Sequence, residues 1–181
     1  VNYTGVLADY RKYFMPVSFY TFAGRVMHYG RYGSGGEDER FFPLYLGYPT
    51  LVRGYDINSI SASECVPNAA SSCPAFDRLI GSRLLVGNLE FRFPLLRPFG
   101  ASRSMYGPVP IEVGLFLDGG VAWNRGDSPA LFGGDRDGVS SGGVTLRANL
   151  FGFAVGQFDF ARPFQRPGRG WVFEFSLTPG F

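Results

Sequence analysis

The sequence predicts an all-β fold and, within that class, the antiparallel wall of a transmembrane β-barrel. Three observations carry the prediction. Of 181 residues, 17% are aromatic, with 19 Phe, and 26 are Gly; that is more aromatic side chain than a water-soluble domain readily buries. Mean hydropathy is close to zero, at +0.02, and no uninterrupted apolar run approaches the ~18 residues that a membrane helix requires. Apolar and polar residues instead alternate over most of the chain, as they must in a wall with lipid on one side and water on the other.

The first strand spans residues 2–14, with Val6, Ala8, Tyr10 and Phe14 on one face and Asp9 and Arg11 on the other. Met15-Pro16 reads as a tight turn. Residues 17–32 form a second strand whose faces stay open, because Phe19, Tyr20 and Phe22 fall on both sides. Residues 33–82 have no strand period and form one long loop. The third strand, residues 82–94, alternates most clearly: Leu85, Gly87, Leu89, Phe91 and Phe93 oppose Asn88, Glu90 and Arg92. A Pro/Gly-rich connection then runs to Pro110. In the fourth strand, residues 111–123, Ile111, Val113, Leu115, Leu117, Val121 and Trp123 share a face against Glu112, Phe116, Asp118 and the glycines.

Residues 124–139 are polar and Gly-rich, and the fifth strand follows at 140–150 with Val144, Leu146, Ala148 and Leu150 opposite Thr145, Arg147 and Asn149. A minimal turn at Phe151-Gly152 leads into residues 153–164, where Gln157 and Asp159 point inward if Phe158 and Phe160 face out. After a short loop, Trp171, Phe173, Phe175 and Leu177 alternate with Val172, Glu174, Ser176 and Thr178, and the chain ends at Phe181. The result is about seven strands, each near the ~9–11 residues that cross a bilayer when tilted. Long and shorter connections alternate, apart from the segment around Pro98 to Pro110, as in barrels with short turns on one side and long loops on the other. Val1 opens directly in a strand-like pattern, so the chain reads as the C-terminal part of a longer precursor.

The net charge of +2, from 17 basic and 15 acidic residues, is too balanced for a nucleic-acid binder, and no basic cluster interleaved with aromatics occurs. Cys65 and Cys73 lie close together in one polar tract. A disulfide in an oxidising compartment outweighs a metal pair, since no further ligand is near and the one histidine, His28, sits in another segment. Asp135-Arg136-Asp137-Gly138 lacks the other ligand positions of a calcium loop. No nucleophile elbow, zinc-protease helix or phosphate loop is present, and Gly33-Ser34-Gly35-Gly36 leads into acidic residues instead of a Lys-Ser/Thr pair. The expectation is a chain with no catalytic residue, no metal and no cofactor.

Three stretches together resemble the BamA/TamA family of outer-membrane assembly factors, the bacterial surface-antigen family. Val52-Arg53-Gly54-Tyr55 in the long loop is similar to the family's signature. Asn88-Leu89-Glu90-Phe91-Arg92-Phe93-Pro94 and Phe116-Leu117-Asp118-Gly119-Gly120-Val121-Ala122-Trp123 follow in the family's order and spacing. Trp171, Phe173, Phe175 and the terminal Phe181 resemble the β-signal read by the assembly machinery. The resemblance covers essentially the whole chain, residues 1–181, as the last seven strands of a sixteen-stranded barrel in the bacterial outer membrane. It implies that the extracellular loop 33–82 folds into the lumen, where Arg53 meets Asp118, with Glu90 as second partner. Gly54 would permit the tight backbone there, and Tyr55 would pack beside the guanidinium.

The implied function is outer-membrane protein insertion, assembly or translocation. Its partners would be outer-membrane lipid, the remaining barrel strands and periplasmic domains of the precursor, and client proteins or accessory subunits. The alternative is a passive anchor or pore for another periplasmic or surface domain. No periplasmic POTRA module lies in these residues, and the Cys65–Cys73 insertion departs from the family core.

Overall fold

The computed structural model describes residues 2–67, 73–95, 111–150, 153–166 and 168–179. The turn at Phe151-Gly152, most of the connection ending at Pro110 and the terminal Phe181 lie outside them. Long strands β1 (Thr4–Val17) and β2 (Tyr20–Tyr32) are followed by the 33–82 loop, which contains the short β3 (Leu44–Tyr45), the helical turn α1 (Pro74–Asp77) and the short β4 (Ile80–Gly81). Then come β5 (Arg83–Pro94), β6 (Ile111–Trp123), β7 (Val139–Leu150), β8 (Ala154–Pro163) and β9 (Val172–Pro179). The long strands form one antiparallel 7-stranded sheet in the order β1-β2-β5-β6-β7-β8-β9, a partial barrel wall with β1 and β9 at its edges. β3 and β4 pair with each other inside the loop.

One local expectation fails. Met15-Pro16 is part of β1, and the chain reverses at Ser18-Phe19 instead, with Val17 opposite Tyr20. Proline lacks the N–H that a ladder needs, but Pro16 lies inside the register irregularity between Phe14 and Val17, beside the turn, where the regular pairing with β2 is interrupted. Phe19 takes the left-handed conformation, φ +79°, which costs a residue with a Cβ about 1–2 kcal/mol.

The pairing settles the faces that β2 left open. Val26 stands opposite Gly87, and Met27 opposite Val86. Met27 joins the buried core with Val86, while Val26 is 55% exposed. On the outer surface Phe22, Val26, Leu89, Leu115, Leu117, Phe173, Phe175 and Leu177 are all exposed. A water-soluble protein does not leave so continuous an apolar band bare; here the bilayer covers it. Turned the other way are Asn88, Glu90, Asp118, Thr145, Asp159 and Glu174, all buried or half-buried.

The core therefore sits where water would fill an empty barrel. Leu46, Val52, Tyr55 and Leu79 of the loop pack on Met27, Leu84, Val86, Ala122 and Val139 of the wall. The loop fits because β6 carries Gly120 beneath it: a Cβ there would meet Leu46 Cδ1 at 2.8 Å and Val52 Cγ2 at 3.1 Å. The turn at Ser18-Phe19 marks one rim, and the 33–82, 124–138 and 164–171 connections mark the other. In outer-membrane barrels the long connections face the exterior.

Candidate functional site

The inner ends of the alternating strands converge on Arg53. Its Nε donates to Asp118 Oδ2 at 2.7 Å and its Nη2 to Asp118 Oδ1 at 2.9 Å, a bidentate fork. The Arg53 backbone N–H adds a bond to Asp118 Oδ2 at 3.2 Å. Nη1 donates to Glu90 Oε2 at 3.2 Å and lies 3.6 Å from Asp159 Oδ1. Arginine suits this place because its planar donors match a carboxylate and it stays charged when buried. Asp118 is positioned in turn by Asn88, whose Nδ2 donates to Asp118 Oδ1 at 2.9 Å and to the Leu51 carbonyl at 2.7 Å.

The ring beside the guanidinium is not Tyr55 but Phe116, whose centroid is 3.5 Å from Arg53 Cζ. Phe116 precedes Asp118 by two residues on the inner face of β6, so one strand supplies both the anion and the π-face. Tyr55 instead extends across the loop. Its hydroxyl lies 2.9 Å from both the Ser140 carbonyl and Gln165 Oε1, and it accepts from the Gln165 N–H at 3.3 Å.

Glu90 links the loop to the wall below it. Its carboxylate accepts from Arg92 Nε at 2.7 Å and from both terminal nitrogens of Arg147, as well as from Arg53. Asp159, fully buried, accepts from Gln157 Nε2 at 2.8 Å. Its inward position follows from the alternation with Phe158 and Phe160, but only the folded loop brings it to Arg53.

Two groups complete the clamp that motif reading did not assign. Gly54, with φ +87°, turns the backbone so that its N–H donates to Glu174 Oε1 at 2.9 Å. A side chain at Gly54 would be strained and would also crowd Ala161 Cβ at 3.1 Å. From the β8–β9 loop, buried Arg166 donates to the Gly54 carbonyl at 2.7 Å, to Ser59 Oγ and O, and to both oxygens of Glu64 at 2.6 and 2.8 Å. Those bonds hold the Glu64 carboxyl down to about 2. Glu174 was legible as an alternant on the face opposite Phe173 and Phe175; Arg166 carried no signal, since its role depends on a loop 102 residues away in sequence.

Cys65 and Cys73 are joined in a disulfide beside the Glu64 turn. Of the terminal aromatics, Trp171, Phe173 and Phe175 stand exposed on the outer face, away from the clamp. Among the described residues no cluster of His, Cys, Asp or Glu could hold a metal ion. The site is a set of ion pairs and hydrogen bonds that fastens a loop inside a wall.

No curated protein matches the sequence. A family model described as the Omp85 superfamily domain matches residues 1–181. With its lipid-facing strands, plugged interior and full-length match, the chain belongs to the Omp85 superfamily of bacterial outer-membrane β-barrel proteins.

Proposed function

We propose that the chain is the barrel portion of a BamA/TamA-like factor that inserts or translocates proteins at the outer membrane. The observation that supports this reading is the docked loop: Arg53 shared among Asp118, Glu90 and Asp159 from three different strands. A loop fastened in this way ties β5, β6 and β8 into one body, and the Gly54 N–H extends the tie to Glu174 of β9 by a single backbone hydrogen bond. Catalysis would then be physical and not covalent. A client strand would pair with a weakly held edge of the wall, and a short last strand would thin the bilayer beside it.

The test is reconstitution of the full-length protein into liposomes with an unfolded outer-membrane client, scored by the appearance of heat-resistant, protease-protected client. Acceleration over liposomes holding an unrelated barrel is expected, and Arg53→Ala should reduce it while leaving the barrel folded. Client folding no faster than with the unrelated barrel would end this reading. It would favour instead the second role, a plugged anchor, which the closely packed core between loop and wall also suits.

A further inference from the structure

The strand carboxylates Asp9, Glu90, Asp118, Asp159 and Glu174 engage inward-facing partners. On the outer face the situation is reversed. Lys12, Arg83 and Arg162 stand in register with the outward positions Gly24, Trp123 and Gly142, and no carboxylate accompanies them in the described strands. Arg83 is the most elaborated of these cations. It sits at the loop end of β5, opposite Gly30 on one side and Trp123 on the other. Its guanidinium carbon lies 4.6 Å from the Tyr32 ring centroid. His28 stacks on Trp123 at 5.8 Å and holds the Tyr32 hydroxyl at 2.7 Å. The Nε of Arg83 is buried and has no hydrogen-bond partner among the described residues. The nearby carboxylate, Glu37, accepts from the Ser82 hydroxyl at 2.7 Å and from the Arg125 N–H, and it also feels the charge of Arg83 without a direct bond to it.

Two same-face positions toward the membrane interior from Arg83, past Leu85, the wall is hollowed. Gly87 pairs with Gly119, and a Cβ at Gly87 would meet nothing within 4 Å. A groove of about 660 Å³ runs over them, bounded by Val26, Leu85, Ala130 and Leu131. The Ala130–Phe132 turn leaves Leu131 75% and Phe132 72% exposed beside it. A cation in an aromatic cradle at the rim, set above an apolar furrow in the bilayer-facing wall, matches an amphipathic anion. We propose that this face binds one phosphate-bearing lipid of the outer leaflet, its phosphate at Arg83 and one acyl chain along Gly87 and Gly119. The inference rests on the lipid-facing wall and not on the insertion reading, so the two can fail separately.

The experiment places the full-length protein in vesicles containing acyl-brominated phosphatidylglycerol or phosphatidylcholine at equal mole fraction. Quenching of Trp123 is taken as the difference from Trp123→Phe, and heat-modifiable mobility verifies folding. Stronger quenching by the anionic lipid is expected, corresponding to about fivefold local enrichment for one cation at headgroup level. Arg83→Gln should abolish the preference, Arg83→Lys should keep it, and Gly87→Leu should weaken quenching by both lipids. Arg83→Met provides the same reading if Arg83→Gln does not fold. Equal quenching by the two lipids, or a preference that survives Arg83→Gln, would overturn the proposal. Loss of the preference with Arg162→Gln would also overturn it by tracing the effect to general surface charge. So would its removal by inorganic phosphate, which would identify a free-anion site.

Discussion

At the scale of single residues, the molecule depends on charges that are buried in pairs. Asp118 has a side chain only 1% exposed and Asp159 one that is 0% exposed, so each relies on Arg53 for compensation. Arg53→Ala is expected to destabilise the barrel by about 3–5 kcal/mol, the usual cost of stripping one partner from a buried pair. The check is the urea dependence of the heat-modifiable band. Arg53→Lys should recover only part of this, because a single ammonium cannot form the fork to Asp118. Nearer the exterior, the Arg166–Glu64 contact has a calculable pH response. Bonding to Arg166 lowers the folded-state pKa of Glu64 from 4.5 to about 2. A depressed carboxyl contributes stability that is complete above the unfolded value and disappears as pH falls through the folded one. The loop should therefore keep its protease resistance down to about pH 4.5 and lose it progressively toward pH 2, with Glu64→Gln flattening that profile.

At the scale of elements, the 33–82 loop and strand β6 are complementary shapes. The loop contributes Leu46, Val52 and Leu79, all fully buried, and β6 yields room for them at Gly120. Gly120→Leu is expected to displace the loop at a cost of about 1–3 kcal/mol, the range for overpacking a closed site. Faster limited proteolysis within residues 33–82, with strand content unchanged by circular dichroism, would be the readout. An unaltered cleavage rate would mean that the loop does not rest on β6. Gln165 shows the same complementarity in polar form, since its side-chain oxygen accepts the Ser140 N–H at 2.6 Å and secures the start of β7.

At the scale of the whole molecule, the outer and inner surfaces have exchanged the chemistry of a soluble protein. Leu117 stands at the midpoint of β6 and is 56% exposed. Leu117→Arg is expected to cost about 2–4 kcal/mol in a bilayer, the penalty for a cation on the lipid face at mid-depth. A neutral effect in lipid would mean that this face does not meet hydrocarbon. On the reading proposed above, Phe181 serves assembly and not stability. Removal of Phe181 is expected to slow insertion into the outer membrane while leaving the melting of the assembled barrel unchanged. Normal membrane levels of the shortened protein would exclude a targeting role for that residue.

What the sequence determined by itself is the wall. Leu89, Phe91 and Phe93 against Asn88, Glu90 and Arg92 state a period of two, and that period specifies a strand, its two faces and the solvent on each, because successive side chains must point opposite ways. The same rule points Asp159 inward if Phe158 and Phe160 face out, and sets Glu174 on the face opposite Phe173 and Phe175. Local turn propensity misled at Met15-Pro16, which lies within β1 at a register irregularity just before the reversal at Ser18-Phe19. Tertiary structure alone decided the clamp: that Phe116 and not Tyr55 lies on the guanidinium, that Arg166 grips Gly54, Ser59 and Glu64, and that Asp159 approaches Arg53 at 3.6 Å. The physical reason is that alternation is a local property of the backbone, whereas these contacts join residues far apart in the chain. An irregular loop has no period from which its docked position could be read.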